Sequence, residues 1–97
     1  MKSGKQSNLW KWQQKCKEPG AVCRCGSRFH LTVEHIIPVF FLEVLGLKEY
    51  ALNDEENFEI ACRYCNAQKA HGFDHHNPKT IPLLKKYLAL YEQNVTV

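Results

Sequence analysis

The sequence predicts a small α+β domain held by a metal–thiolate site, with a helix at each end. Three observations carry that expectation. Two close cysteine pairs, Cys23/Cys25 and Cys62/Cys65, lie far apart in the chain; a run rich in β-branched and apolar residues spans 31–37; and after residue 80 apolar side chains recur at helical spacing. Ninety-seven residues make one domain, and a chain of this size buries only just enough apolar surface for a core, so a staple is expected to help.

The elements follow in order. Residues 1–8 hold Lys2, Lys5 and small polar residues with no apolar anchor, and are expected to be a flexible basic arm ahead of a single domain at 9–97. Residues 9–17, LWKWQQKCK, are good helix formers halted by Pro19 and Gly20. Trp10 and Trp12 both offer rings that can stack on bases, but in so short a helix one of them is expected to anchor the core. Residues 21–37 read as a hairpin, with Val22 leading in, CGSR turning, and 31–37 returning as a strand that Pro38 ends. The apolar stretch 39–47 fits a short helix or an apolar lid, and periodicity leaves both open. A loop begins at NDEEN, a helix at CRYCNAQKA, and Gly72 with FDHHNP ends that helix. The last helix, TIPLLKKYLALYEQ, has Thr80 as cap, Pro82 in its first turn, and Ile81, Leu84, Leu88 and Tyr91 at helical spacing.

The formal net charge of +3 conceals a segregated pattern. Residues 1–28 carry seven Lys/Arg against Glu18 alone, residues 31–61 carry seven acids against Lys48 alone, and residues 62–97 return to a net +3. Basic ends point to a polyanion partner. No apolar run approaches the ~18 residues of a spanning helix. Five cysteines without a charged-then-apolar leader, and odd in number, fit thiolates in the cytoplasm better than a disulfide framework.

Zinc prefers four soft ligands in a tetrahedron, and two short chelating steps from distant parts of a chain can supply them. C-x2-C at Cys62 and Cys65 is a usual step, whereas C-x-C at Cys23 and Cys25 is short, so that His30 or Cys16 could replace one of the first pair. Cys16 is otherwise a small packing residue. With the cysteines assigned to structure, Glu34, His35, Asn57, Asn66 and Lys69 remain. An imidazole suits a general base, and a carboxylate and an amide oxygen suit a hard cation such as magnesium. Neighbouring Glu34 and His35 on one strand point to opposite sides, so a bend or an adjacent loop is needed to bring both to one site.

In order along the chain, CRCG, EHIIP, Asn57 and CRYCNAQK resemble the motif series of the HNH endonucleases, whose fold is the ββα-metal (His-Me finger) unit. The resemblance covers residues 23–69. It implies a ββα-metal fold with a structural zinc at Cys23, Cys25, Cys62 and Cys65, and a divalent-metal-dependent nuclease that cuts DNA. By position, His35 is implied as general base, Asn57 as the residue fixing its imidazole, Glu34 and Asn66 as ligands of a catalytic Mg2+ or Mn2+, and Lys69 as a phosphate contact. Glu34 stands where the family often has Asp or His, and the His35–Asn57 interval is lengthened by FFLEVLGL.

DNA contact is expected from Arg24, Arg28, Lys11, Lys15 and Lys17, with Lys2, Lys5, Lys85 and Lys86 as further candidates, giving salt-dependent binding with weak sequence preference. One active site nicks one strand. His71, His75 and His76 lie past the matched motif and stand as alternative cation or phosphate contacts. The other reading is a non-catalytic zinc module for nucleic acid or a protein partner. Small members that resemble this chain come from phages and bacterial mobile elements, where they act in packaging, restriction or homing, so that a homodimer or a packaging or restriction partner fits.

Overall fold

The computed structural model describes residues 7–69, 72–74 and 76–95. Helix α1, Asn8–Lys15, is capped by Ser7, whose hydroxyl accepts from Trp10 N at 3.1 Å. Ser7 and Asn8, expected in the arm, thus belong to the helix, and Asn8 is tied to Asn53 by an Nδ2–H donated to its carbonyl at 2.7 Å. Trp12 is the anchoring tryptophan: its Nε1–H donates to Glu55 at 2.9 Å and its ring meets Phe58 edge-on at 5.7 Å, while Trp10 is exposed.

Strand β1, Leu31–His35, pairs antiparallel with β2, Phe58–Cys62, from Leu31 opposite Cys62 to His35 opposite Phe58. The hairpin expected within 21–37 does not form. Residues 23–27 instead make a tight turn, closed by Gly26 N donating to Cys23 O and Cys23 N donating to Ser27 O, both at 2.8 Å, with Gly26 at φ +94°. Two sulfurs two residues apart converge on one centre through such a turn, whereas an extended strand adds ~6.6 Å between them. The partner strand β2 lies in a segment read as a loop, where acidic residues masked a short strand of FEIAC.

Between the strands the chain is helical. The apolar stretch becomes α2, Val39–Val44, started by the Pro38 carbonyl and stopped at Gly46, whose φ of +74° lets Leu47 N return to Leu42 O at 2.8 Å. A short α3, Tyr50–Asn53, and a 3-10 turn, Glu55–Asn57, lead into β2. Helix α4, Arg63–Lys69, follows β2 directly and packs on both strands, so strand, strand and helix form one unit. Helix α5, Thr80–Val95, closes the main core. Its turn is capped by Asn77, whose Oδ1 accepts from Lys79 N at 2.9 Å, whereas the Thr80 hydroxyl donates to Asp74 O.

Ile36, Ile37, Leu42, Leu47, Ala51, Leu83 and Tyr87 form that core. The buried face of α5 runs through Leu83 and Tyr87, with Leu84 and Leu90 partly covered, so the stripe expected through Ile81, Leu88 and Tyr91 faces outward. A second, smaller cluster joins Cys23, Ala61 and Cys62 to Leu31 and Cys65. Among the described residues no helix is long and apolar enough to cross a membrane.

Candidate metal centre and active site

The β1/β2 ladder carries a different group at each end. At the Leu31/Cys62 end, the sulfurs of Cys23, Cys25, Cys62 and Cys65 all lie within 4.8 Å of one another. Cys25 Sγ is 3.7 Å from Cys62 Sγ. Zinc–sulfur bonds of ~2.3 Å in a tetrahedron place sulfurs ~3.8 Å apart, and a disulfide needs about 2.05 Å, so this spacing fits a metal. The set could bind a structural ion such as zinc. Cys16 and the exposed His30 stand outside it. The Cys65 N–H points at Cys62 Sγ and holds that thiol down to about 7, while hydrogen bonding to Cys23, Cys62 and Cys25 pushes Cys65 up to about 12. A proton shared among crowded sulfurs is what a cation replaces.

At the other end, His35 closes β1. Its Nε2–H donates to the Ala51 carbonyl at 2.7 Å, because a carbonyl can only accept, and this leaves Nδ1 with its lone pair. The ring also rests edge-on against Phe58 at 5.4 Å. Burial pushes its pKa down and the nearby Lys69 ammonium adds to that, against the opposing Ala51 bond. A neutral imidazole follows.

Asn57 makes no hydrogen bond to the imidazole. Fully buried, it grips the backbone beyond it: Oδ1 accepts from Ile37 N at 2.7 Å, Nδ2 donates to Ile37 O at 3.1 Å, and its own carbonyl accepts from Ile36 N at 2.9 Å. It therefore sets where β1 ends and the turn begins. Lys69 is likewise not turned to solvent. Its ammonium donates to the carbonyls of His35 and, at 2.9 Å, of Ile36. Helix α4 is short and ends against that turn, so Lys69, expected to face phosphate, is held on two carbonyls at the edge of the cleft it lines.

Asn66 of α4 lines a cleft of about 280 Å³ with Val33, His35, Pro38, Val39, Phe40 and Lys69. Glu34 does not line it. The pairing is regular through His35, with Glu34 opposite Glu59, so the pleat holds the two side chains on opposite faces. No bend intervenes. Glu34 is 2% exposed and neither carboxylate oxygen has a hydrogen-bond partner among the described residues. Burial pushes its pKa up, against Lys69 and Arg24. Glu59, by contrast, is served by Asn77 Nδ2 at 3.1 Å, Arg24 at 3.5 Å and Lys79 at 4.0 Å. A carboxylate buried without hydrogen bonds is costly as an anion, which is why its pKa rises.

No family model, no curated protein and no solved structure matches this chain. Its chemistry is therefore carried by its own residues. The fold gathers His35, Asn66 and Lys69 at one cleft, puts Glu34 on the opposite face of β1 from His35, and sets the four cysteines at the far end of the ladder. Of the expected DNA contacts, Arg24 is held by Asp74 at 2.6 Å and Lys15 lies 4.7 Å over the Trp12 ring. Lys11, Lys17, Arg28 and Lys85 are exposed; Lys86 is paired to Asp54 and Glu56. Lys2, Lys5, His71 and His75 lie outside the described residues, and His76 lines a neighbouring hollow with Arg24 and Asp74. Sequence reasoning missed the Ala51 carbonyl and the Arg24–Asp74 tie. A backbone acceptor leaves no residue signature, and a pair fifty positions apart leaves no local one.

Proposed function

We propose that this chain is a divalent-metal-dependent endonuclease of the HNH kind that hydrolyses DNA phosphodiesters, with the four cysteines holding a structural zinc. The observation that carries the reading is the state of His35. Its Nε2–H is committed to Ala51, its Nδ1 is left as a base, and it opens onto a cleft shared with Asn66 at the tip of a strand–strand–helix unit. The Asn66 amide oxygen in the same cleft is a hard donor of the kind Mg2+ or Mn2+ takes, and Glu34, which the resemblance pairs with it, is a carboxylate buried on the other face of β1 without a hydrogen bond among the described residues. When bound, such an ion stabilises the charge that develops on phosphate.

His35 removes a proton from water as its oxygen bonds to phosphorus; the P–O3′ bond breaks and the leaving oxygen takes a proton from solvent. The products carry a 5′ phosphate and a 3′ hydroxyl. Asn57 and Lys69 act as positioning residues, because both hold the 35–37 backbone that aims the imidazole. One site per chain produces nicks.

A second reading, a non-catalytic zinc module for nucleic acid or protein, draws on the engagement of Lys69 and Arg24 with partners inside the molecule. Supercoiled plasmid separates the two. Wild-type protein is expected to relax it with magnesium or manganese and not without, and His35→Ala is expected to be inactive while folded and zinc-loaded. Equal cutting by both proteins removes His35 from the chemistry; no cutting by either favours the module.

A further inference from the structure

Beyond the cleft, the zinc end of the ladder carries two large aromatic side chains that nothing covers. Phe29 is 77% exposed and Tyr64 is 75% exposed. They belong to one rim. Arg63 N donates to His30 O at 3.0 Å, which carries the pairing of Leu31 with Cys62 one step further, so Phe29 and Tyr64 flank the same bonded pair. His30 sits at φ +54° and turns the chain just ahead of β1. Arg28 and Arg63 are exposed beside the rings.

Arg28 and Arg63 form no ion pair among the described residues, whereas Arg24 is neutralised by Asp74 and Glu59 and Lys69 is engaged at the other end of the ladder. Exposed aromatics beside two such arginines suit a ligand that is both anionic and planar. A duplex hides its base faces in the stack, whereas an unpaired strand presents them, and stacking on such rings is sequence-tolerant.

We propose that this rim binds single-stranded nucleic acid, with Phe29 and Tyr64 stacking on bases and Arg28 and Arg63 meeting phosphates. The rim lies beyond the Leu31 end of β1, and that end is itself ~13 Å from His35 at 3.3 Å per residue. An unpaired segment flanking the scissile bond is thus engaged by the zinc end while the cleft holds the phosphate. This deepens the nucleic-acid reading above and rests on it, yet binding is separable from cutting.

The test is fluorescence anisotropy of a labelled 15-mer oligo-dT and of a duplex of equal length, with zinc-loaded protein and no magnesium. Phe29→Ala/Tyr64→Ala is expected to weaken oligo-dT binding about tenfold or more and duplex binding less than twofold. Phe29→Leu/Tyr64→Leu, which keeps the apolar surface, is expected to behave like the alanine pair, and Phe29→Trp/Tyr64→Trp like wild type. Zinc content and circular dichroism equal to wild type show that each variant is folded. Unchanged oligo-dT affinity in the alanine pair overturns the proposal even if plasmid nicking persists. Full affinity in the leucine pair, or a monomer–dimer shift that depends on the same rings, assigns the rim to protein contact and overturns it too. A wild type that never nicks, with ring-dependent oligo-dT binding, leaves the rim standing and removes the nuclease.

Discussion

At the His35/Phe58 end of the β1/β2 ladder, Ile36, Ile37, Leu42, Leu47, Ala51, Leu83 and Tyr87 close into an apolar core, and Asn57 and Lys69 satisfy the backbone of the turn. At the Leu31/Cys62 end the buried residues are Cys23, Ala61 and Cys62. A cluster that small cannot offset the entropy of ordering the 21–30 segment by burial alone. One end of the same two strands stands on packing, then, and the other on a cysteine set that could bind a metal ion. The packed end is also the one that holds His35, the base of the proposed reaction.

Chelation is the strongest way to break the comparison. Apparent zinc binding in small structural sites is about 10–16 kcal/mol, so a strong chelator, or Cys62→Ser, is expected to remove amide exchange protection from residues 59–65 while that of 83–90 persists. Equal loss at both ends would show that the two halves fold as one unit. His35→Ala comes next and acts on rate: loss of a positioned general base lowers nicking by about 10²–10⁴-fold, with zinc content unchanged. A variant that still nicks at wild-type rate would contradict that role.

Asn57→Ala probes the packed end without touching the imidazole. It strands the Ile37 N–H and carbonyl in the interior, for an expected loss of about 2–4 kcal/mol in urea unfolding and reduced nicking through misplacement of His35. Unaltered stability would mean that water takes over both bonds.

The mildest test concerns acid. Burial pushes the Asp54 carboxyl up, but hydrogen bonds from Lys86 at 2.8 Å and from the Tyr87 hydroxyl at 2.6 Å outweigh it and hold it below its ordinary value near 3.8. A carboxyl held low in the folded state stabilises above its unfolded pKa and loses that contribution as pH falls through the folded one. Below pH 4 the wild type is expected to lose stability more steeply than Asp54→Asn, by about 1 kcal/mol in total. Parallel pH profiles would remove Asp54 from the account.

Much of this was legible in the chain itself. The two cysteine pairs, the closing helix and the strand ahead of Pro38 are local: each depends on residue types within a few positions, and short-range sterics and chelate geometry act the same in any context. The partner of β1 was not legible, because FEIAC follows an acidic run and pairs across a 22-residue gap from His35 to Phe58, whose closure is decided by what packs between. Nor was the buried face of α5. Ile81, Leu83, Leu84, Tyr87, Leu88, Leu90 and Tyr91 offer apolar side chains almost all round the helix, and only contact with Ile36, Ile37 and Leu42 selects Leu83 and Tyr87.

The candidate site divides in the same way. The sequence by itself determined which groups can do chemistry: a thiolate set, an imidazole beside a carboxylate, and two amides. Tertiary structure decided what each one does. It turned Lys69 inward to carbonyls, put Asn57 on the Ile37 backbone rather than on the imidazole, and left Glu34 buried without a hydrogen-bond partner among the described residues. Functional-group chemistry is a property of one residue, but orientation, desolvation and tautomer depend on neighbours that only the folded chain supplies.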